Sequence, residues 1–132
     1  MITPHEPISE QVDAIARQVV DSAVAVHRAL GPGLIEPVYE RCLCYELTER
    51  GLKFKTQVPV PILYRGAQLD AALRLDLLVE DTVIVELKAV EKLIPLCEAQ
   101  LLTYLKLANK RLGLLINFNV PLLKDGIKRL AL

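Results

Sequence analysis

The chain of 132 residues lacks the features that would point to a membrane, secreted or zinc-binding protein. No stretch reaches the roughly 18 to 20 apolar residues in a row that a membrane helix needs, and the start, MITPHEPISE, has neither a basic nor an apolar targeting segment. Cys42, Cys44 and Cys97 form no CxxC pair and no zinc spacing with either histidine. We therefore expect a cytoplasmic protein that has no membrane segment and whose thiols are reduced and mostly buried.

An excess of charge of one sign is also lacking. Sixteen Lys and Arg residues balance sixteen Asp and Glu residues, so overall positive charge cannot drive binding to nucleic acid, although a local basic patch still could. Apolar residues make up 52% of the chain and charged residues 24%, which excludes a disordered or fibrous protein. The length then predicts one globular domain over residues 1–132.

Hydrophobic periodicity predicts two helices at the start of the chain. Ser9 is suited to cap the first, whose apolar residues recur every three or four positions up to the Gly-Pro-Gly turn at 31–33. The second begins near Glu36, with Pro37 in its first turn, and ends at Gly51. Two packed helices are therefore expected before any strand.

The pattern changes to that of strands after the second helix. Three strands are predicted, in the segments FKTQVPVPILY, AALRLDLLV and TVIVELK. Turns separate them at Arg65–Gly66 and Glu80–Asp81. Pro59 and Pro61 place the first strand at an edge or bend of the sheet, because neither can donate a hydrogen bond to the ladder.

A helix is predicted after Pro95, followed by a buried strand at 112–118 and a last short strand at IKRLAL. The strand after this helix must cross over to pair with the sheet. The order of elements therefore predicts an α/β fold, with a mixed central sheet flanked by helices on both sides.

Apolar residues determine the pairing that we expect between the second and third strands. Odd-numbered residues form one apolar face over 73–79 and another over 83–87, and both must meet the same core. The expected pairs are Val79 with Val83, Leu77 with Val85, and Leu75 with Leu87. This register sets Asp76 across from Glu86, with Lys88 two residues along on the same face.

Two carboxylates whose Cβ atoms lie about 4.5–5.5 Å apart repel each other unless a cation or a shared proton lies between them. Mg²⁺ suits such a pair, since it takes one or two protein carboxylates and keeps several waters. The Leu87 carbonyl would add a ligand, and Lys88 would activate a water or neutralise a phosphate. The alternative is that these charged side chains line a solvated face of the sheet and pair with one another.

Three motifs together resemble those of known nucleases. Asp76 followed by Glu86-Leu87-Lys88 resembles the signature of the PD-(D/E)XK nuclease superfamily. Gln100 and Tyr104 have the Gln-x-x-x-Tyr spacing seen after the lysine in RecB-type members. Gly33-x-x-Glu36-x-x-Tyr39 resembles the motif of the GxxExxY family, which is regarded as part of that superfamily.

The resemblance implies a restriction-endonuclease-like α-β-β-β-α-β core and a nuclease that uses Mg²⁺ or Mn²⁺ to cleave DNA, or else RNA. It implies a catalytic set of Asp76, Glu86, Lys88 and Gln100 and a metal set of Asp76, Glu86 and Glu36 beside the Leu87 carbonyl already named, with Tyr39 and Tyr104 in support. His27, near the end of the first helix, is a further candidate for contact with the site or a phosphate. The chain departs from the signature in having Leu75 where a proline precedes the first acidic residue, and little depends on that proline.

Each outlying residue also has a structural interpretation. Glu36 is favoured at a helix start by the dipole, while Gln100 and Tyr104 would tie the helix to the sheet. Tyr39 would pack with a hydrogen-bonded hydroxyl, and His27 would be structural. The second hypothesis is therefore a non-catalytic or weakly active module for nucleic-acid binding or assembly. The small size and zero net charge also suggest a homodimer or a protein partner.

Overall fold

The computed structural model describes residues 6–70 and 73–132. The helices are α1 (Glu10–Leu30), α2 (Glu36–Glu49) and α3 (Pro95–Ala108). The strands are β1 (Phe54–Pro59), β2 (Ile62–Tyr64), β3 (Ala67–Leu69), β4 (Arg74–Val79), β5 (Val83–Lys88), β6 (Leu112–Asn117) and β7 (Ile127–Ala131). The three predicted helices and the strands at 112–117 and 127–131 are confirmed.

The predicted strand at 54–64 is divided in two, because β1 ends at Pro59 and β2 begins at Ile62. β2 then pairs with β3, which the sequence reading did not predict, in a separate two-stranded sheet closed by the predicted Arg65–Gly66 turn. The first two residues of the predicted strand AALRLDLLV, Ala71 and Ala72, lie outside the described residues.

The central sheet has the strand order β1-β4-β5-β6-β7. Every neighbouring pair is antiparallel except β5 and β6, which are parallel because α3 carries the chain across between them. α1 and α2 cover one face of the sheet and α3 covers the other. The predicted mixed sheet with helices on both sides is therefore confirmed, and β1 with Pro59 lies at an edge, as expected.

Local sequence signals account for the helix ends. The Ser9 hydroxyl accepts a hydrogen bond from the Val12 N–H at 3.2 Å, which caps α1 as predicted. Pro37 and Pro95 occupy the first turns of α2 and α3, where a missing N–H leaves no bond unmade. Across the residues that the structure describes, no helix is both long and apolar enough to cross a membrane.

Two hydrophobic cores lie on opposite faces of the sheet, and β4 contributes to both in an unexpected way. Leu77 and Val79 pack into the core under α1 and α2, whereas Leu75 packs into the core under α3. Residues two apart in a regular strand share a face, so the strand must turn over at Asp76. The prediction that Leu73 and Leu75 share the face of Leu77 is therefore wrong.

β1 turns over at the matching position. Phe54 packs into the first core and Val58 into the second, although both numbers are even. The pairing of β1 with β4 keeps one register on both sides of the change, but Gln57 and Asp76 are left out of the ladder. Gln57 has a φ of 50°, the left-handed conformation that a non-glycine residue rarely adopts. The two strands thus change faces together at this unpaired position.

The β4–β5 hairpin divides at the same level. Its ladder consists of Val79–Val83, Leu78–Ile84 and Leu77–Val85, which confirms two of the three predicted pairs. The third, Leu75 with Leu87, is wrong, because these side chains lie in opposite cores. We call residues 77–85 of the hairpin its closed half, and residues 74–76 with 86–88 its open half.

Candidate active site

Asp76 and Glu86 lie across from each other where the closed half ends. The Glu86 Oε1 accepts a hydrogen bond from the Asp76 N–H at 3.1 Å, and the Asp76 Oδ2 accepts one from the Leu87 N–H at 2.8 Å. Side-chain oxygens thus take the place of the carbonyls that a regular ladder would supply. The register read from the apolar residues correctly brings these two carboxylates together.

Burial and like charge act together on Glu86, which is only 7% exposed. Burial raises the pKa of Glu86 most, the Asp76 carboxylate raises it further, and the result is a value of about 8. The Asp76 N–H and the Lys88 charge act in the opposite direction. At neutral pH, Glu86 therefore holds a proton unless a cation takes its place.

Glu36, at the start of α2, lies within electrostatic range of this pair. Burial raises the pKa of Glu36, the Asp76 carboxylate raises it further and the Lys88 ammonium lowers it. Glu40, one turn along the helix, raises it as well. The early helix thus brings a third carboxylate towards the open half of the hairpin, as the motif comparison led us to expect.

Tyr39 holds the loop that precedes Glu36. Its ring is fully buried and stacks on Phe118 with 4.5 Å between ring centroids. Its hydroxyl donates to the Gly31 carbonyl at 2.6 Å and accepts from the Leu34 N–H at 3.2 Å. The packing interpretation of Tyr39 is the one that these contacts support, and its effect on the site is to hold Glu36 in place through the loop.

Lys88 ends β5 on the same face as Glu86. Its charge lowers the pKa of both Glu36 and Glu86, so its ammonium group lies near both. Among the described residues, Lys88 forms no ion pair shorter than 4.0 Å. Lys88 also lines a cavity of about 500 Å³, to which α3 contributes most of the other side chains.

Gln100 and Tyr104 extend this cavity from α3. The Gln100 Nε2 donates to the Tyr104 hydroxyl at 3.0 Å, and both side chains line the cavity with Lys88. Burial raises the pKa of Tyr104 most, followed by the charge of Glu86 and, more weakly, that of Asp76. The two α3 residues therefore converge on the same edge as the carboxylates.

His27 is placed elsewhere. It is 8% exposed, and its Nε2 lies 2.8 Å from the Val120 carbonyl, to which an imidazole N–H donates. This bond ties the end of α1 to the segment after β6. The structural interpretation of His27 is the one that its recorded contacts support.

Two residues that shape the site were missed in the sequence. Gln57 adopts the left-handed conformation opposite Asp76 and donates from its Nε2 to Glu40 at 3.0 Å. Asn117 is buried and exchanges two hydrogen bonds with the backbone of Val90, which holds the chain just after Lys88. Gln57 gives no sequence signal, since left-handed positions favour Gly and Asn. A polar residue in the apolar run 112–118 was the available signal for Asn117.

The donor set can be compared with the needs of a hard divalent cation. Within residues 6–70 and 73–132, no group of three or more His, Cys, Asp or Glu side chains is placed to hold a metal ion. Asp76 and Glu86 each use one oxygen in the bonds above and keep the other. The Lys88 carbonyl accepts a hydrogen bond from the Phe118 N–H, on the side of β6. Successive carbonyls of a strand point to opposite sides, so the Leu87 carbonyl points towards β4. Two carboxylates and a carbonyl fit Mg²⁺ with waters completing its shell.

The chain was compared with known families and proteins. The model of the PD-(D/E)XK nuclease superfamily matches residues 13–130. The match is to the superfamily, and assignment to the GxxExxY family stays a prediction. Searches of curated proteins and of solved structures found no match.

Proposed function

The chain belongs to the PD-(D/E)XK nuclease superfamily, and we propose that it hydrolyses phosphodiester bonds of DNA, or else of RNA, with a divalent cation held between Asp76 and Glu86. Superfamily membership supports a nuclease-type function acting on nucleic acid. The metal dependence, the activity and the roles of individual residues are our proposal.

One observation supports the proposed hydrolysis most strongly. The β4–β5 ladder stops at Leu77–Val85, and two acidic side chains lie face to face in the space beyond it. Burial, and then the nearby Asp76 carboxylate, raise the pKa of Glu86 to about 8, so that its ionised form is unfavourable unless a cation binds. An arrangement that costs stability unless a ligand binds is typical of a functional site.

The roles follow from position. When bound, Mg²⁺ or Mn²⁺ would supply Lewis-acid chemistry and lower the pKa of a coordinated water. The Asp76 and Glu86 carboxylates and the Leu87 carbonyl would hold the cation, with Glu36 assisting through a water or directly. Lys88 would orient the attacking water or stabilise negative charge on the phosphate in the transition state.

Gln100 and Tyr104 border this centre on the α3 side. The Gln100 amide has N–H donors of the kind that bind a phosphate oxygen, and its bond to the Tyr104 hydroxyl fixes the orientation of the amide. We assign Gln100 to substrate positioning and Tyr104 to support of Gln100. Tyr39 supports Glu36 through the loop contacts, and His27 supports the fold at the end of α1.

A second function has one observation in its favour. Asp76 and Glu86 each accept a backbone N–H, so both would contribute to the fold of a protein that had lost catalysis. Such a protein would serve as a nucleic-acid-binding or assembly module. The cytoplasmic location, the single domain and the homodimer or protein partner expected from the sequence stay predictions.

Thermal melting in the presence of Mg²⁺ or Mn²⁺ separates these two functions. We expect either metal to raise the melting temperature of the wild type and to support cleavage of a mixed set of DNA and RNA substrates. Asp76→Asn keeps an acceptor for the Leu87 N–H but removes a charge. It should be at least as stable as the wild type without metal and should lose the metal response.

Asp81→Asn is the matched control, because Asp81 lies in the turn of the same hairpin and its side chain is 81% exposed. It should respond to metal as the wild type does. Equal melting of all three proteins with and without metal, together with no cleavage, would overturn the hydrolase and leave the binding module.

A further inference from the structure

A cavity with many apolar side chains in its lining lies beside Lys88. Its volume is about 500 Å³, within the range of pockets that bind small ligands. It lies between the start of β4 and the first three turns of α3, with Leu73 on one side and Ile94 and Leu96 on the other. Ile94 and Leu96 are 53% and 69% exposed, so the cavity that Lys88 lines also has apolar surface that is open to solvent.

Charge indicates which part of a nucleic acid this cavity suits. Among the described residues that line it, Lys88 is the one charged side chain. A groove that follows a phosphate backbone needs several cations, whereas a nucleobase offers an apolar face that stacks on apolar and aromatic side chains. The cavity therefore suits a base better than a run of phosphates.

The position of the cavity relative to the candidate site indicates which nucleotide of the substrate would place its base there. Lys88, which is two residues from Glu86, lines the cavity together with Gln100 and Tyr104. Burial raises the pKa of Tyr104 most, and the charges of Glu86 and Asp76 raise it further, so the carboxylate pair lies within electrostatic range of the cavity. A phosphate held at Asp76 and Glu86 would thus have its neighbouring nucleotide at the mouth of the cavity. In a duplex both faces of a base are stacked and its edge is paired, so only an unpaired nucleotide can enter.

We propose that this cavity is a subsite for the unpaired nucleobase next to the scissile phosphate, so that the preferred substrate is a single strand or an unpaired end. The proposal rests on the function proposed above. It adds the structural class of the nucleic acid and assigns substrate contacts to Ile94 and Leu96.

The test compares two double variants matched in exposure. Ile94→Ser/Leu96→Ser removes apolar surface from the rim of the cavity, at side chains that are 53% and 69% exposed. Leu122→Ser/Leu63→Ser removes as much from side chains outside the cavity that are 53% and 70% exposed. The Ile94 substitution also places a favourable capping residue at the start of α3, so the test variant should fold.

Binding is measured by fluorescence anisotropy on a labelled 12-nucleotide DNA single strand and on the blunt duplex of the same sequence, in Ca²⁺, with a gel to show that the probes stay intact. We expect the wild type to bind the single strand roughly tenfold or more tightly than the duplex. Ile94→Ser/Leu96→Ser should lose most of this preference, and Leu122→Ser/Leu63→Ser should keep it.

The subsite would be overturned if the wild type bound both probes with equal affinity. It would also be overturned if both double variants lost the single-strand preference to the same extent. Cleavage in Mg²⁺ is scored separately on the same two substrates. Cleavage of the duplex and the single strand at equal rates, unchanged by Ile94→Ser/Leu96→Ser, would leave the nuclease standing and overturn the subsite. A single-strand preference that the rim variant abolishes, without cleavage by any protein, would support the subsite and overturn the hydrolase.

Discussion

The closed half and the open half of the β4–β5 hairpin are built from the same two strands but are joined differently. In the closed half, backbone pairs such as Leu77–Val85 hold the strands together, and the odd-numbered side chains fill the core under α1 and α2. In the open half, the Asp76 and Glu86 carboxylates accept the backbone N–H groups instead. The closed half is therefore held by backbone pairs and apolar packing, whereas the open half is joined through two carboxylates of like charge.

A sheet can hold a polar site without losing its register when two neighbouring strands change faces at the same level. β1 and β4 turn over together at Gln57 and Asp76, so neither strand gains or loses a residue relative to the other. This change of face leaves Asp76 outside the β1–β4 ladder, while the backbone pairs on both sides of it are kept.

Removal of one charge in the open half should abolish activity, whereas the same change in the turn of the hairpin should not. We expect Asp76→Asn and Glu86→Gln each to lower the rate of phosphodiester cleavage at least ten-thousandfold, or about 5 kcal/mol, because each removes a proposed ligand of the cation. Asp81→Asn should cleave at nearly the wild-type rate. Single-turnover cleavage in saturating Mg²⁺ measures all three, and activity in Glu86→Gln would contradict the assignment.

The open half should also make stability depend on pH. The pKa of Glu86 is raised to about 8 in the folded protein, so the folded state binds more protons than the unfolded state between about pH 4.5 and 8. This contribution to stability is complete below that window and is lost as the pH rises through it. We expect a loss of roughly 3–4 kcal/mol between pH 5 and 8.5 without metal.

Urea unfolding across this pH range measures the effect. Glu86→Gln should remove this part of the pH dependence and should be more stable than the wild type at pH 8.5. Parallel curves for the wild type and Glu86→Gln would show that Glu86 titrates normally.

A loss of packing in the closed half should lower the free energy of unfolding by the same amount at every pH. Leu77 is fully buried in the core under α1 and α2, so Leu77→Ala should lower the free energy of unfolding by about 3 kcal/mol through lost burial and the cavity left behind. Because no charge changes, the curve of stability against pH should shift without changing shape. Leu122→Ala, at a side chain that is 53% exposed, is the control and should cost under about 1 kcal/mol.

The smallest effect concerns the position where the strands turn over. Gln57 has a φ of 50°, which a β-branched residue tolerates poorly, so Gln57→Val should lower stability by about 1–2 kcal/mol. Gln57→Gly, which accepts this conformation, should stay within about 0.5 kcal/mol of the wild type despite the lost bond to Glu40. If valine and glycine are tolerated equally, the left-handed turn does not constrain the strand.

The closed half of the hairpin could be predicted from the sequence, whereas the open half could be predicted only in part. The helices, the crossover and the closed half follow from periodicity, caps and alternation, because in these parts apolar burial decides the geometry. The Asp76–Glu86 juxtaposition was also predicted, since the register continues across one further residue. The core into which Leu73 and Leu75 pack was not predicted. The sequence of a strand that turns over still alternates between apolar and polar residues, so the pattern does not show that the strand has changed from one core to the other. No local signal at Gln57 marks that change.

Other parts of the site depended on the motif comparison. The approach of Glu36 from α2 and of Gln100 and Tyr104 from α3 depends on how the helices pack on the two faces, which periodicity does not specify. The cavity beside Lys88 could not be predicted either, since it arises from the gap between the start of β4 and α3.

Calorimetric titration with Mg²⁺ at pH 7, in two buffers that differ in ionisation enthalpy, measures whether a cation replaces the proton on Glu86. If the open half of the hairpin holds a cation in place of the proton on Glu86, the wild type should bind Mg²⁺ at one site and release about one proton, and Glu86→Gln should release none and bind far more weakly. No saturable binding of Mg²⁺ by the wild type, or binding that releases no proton and is unchanged in Glu86→Gln, would contradict the account.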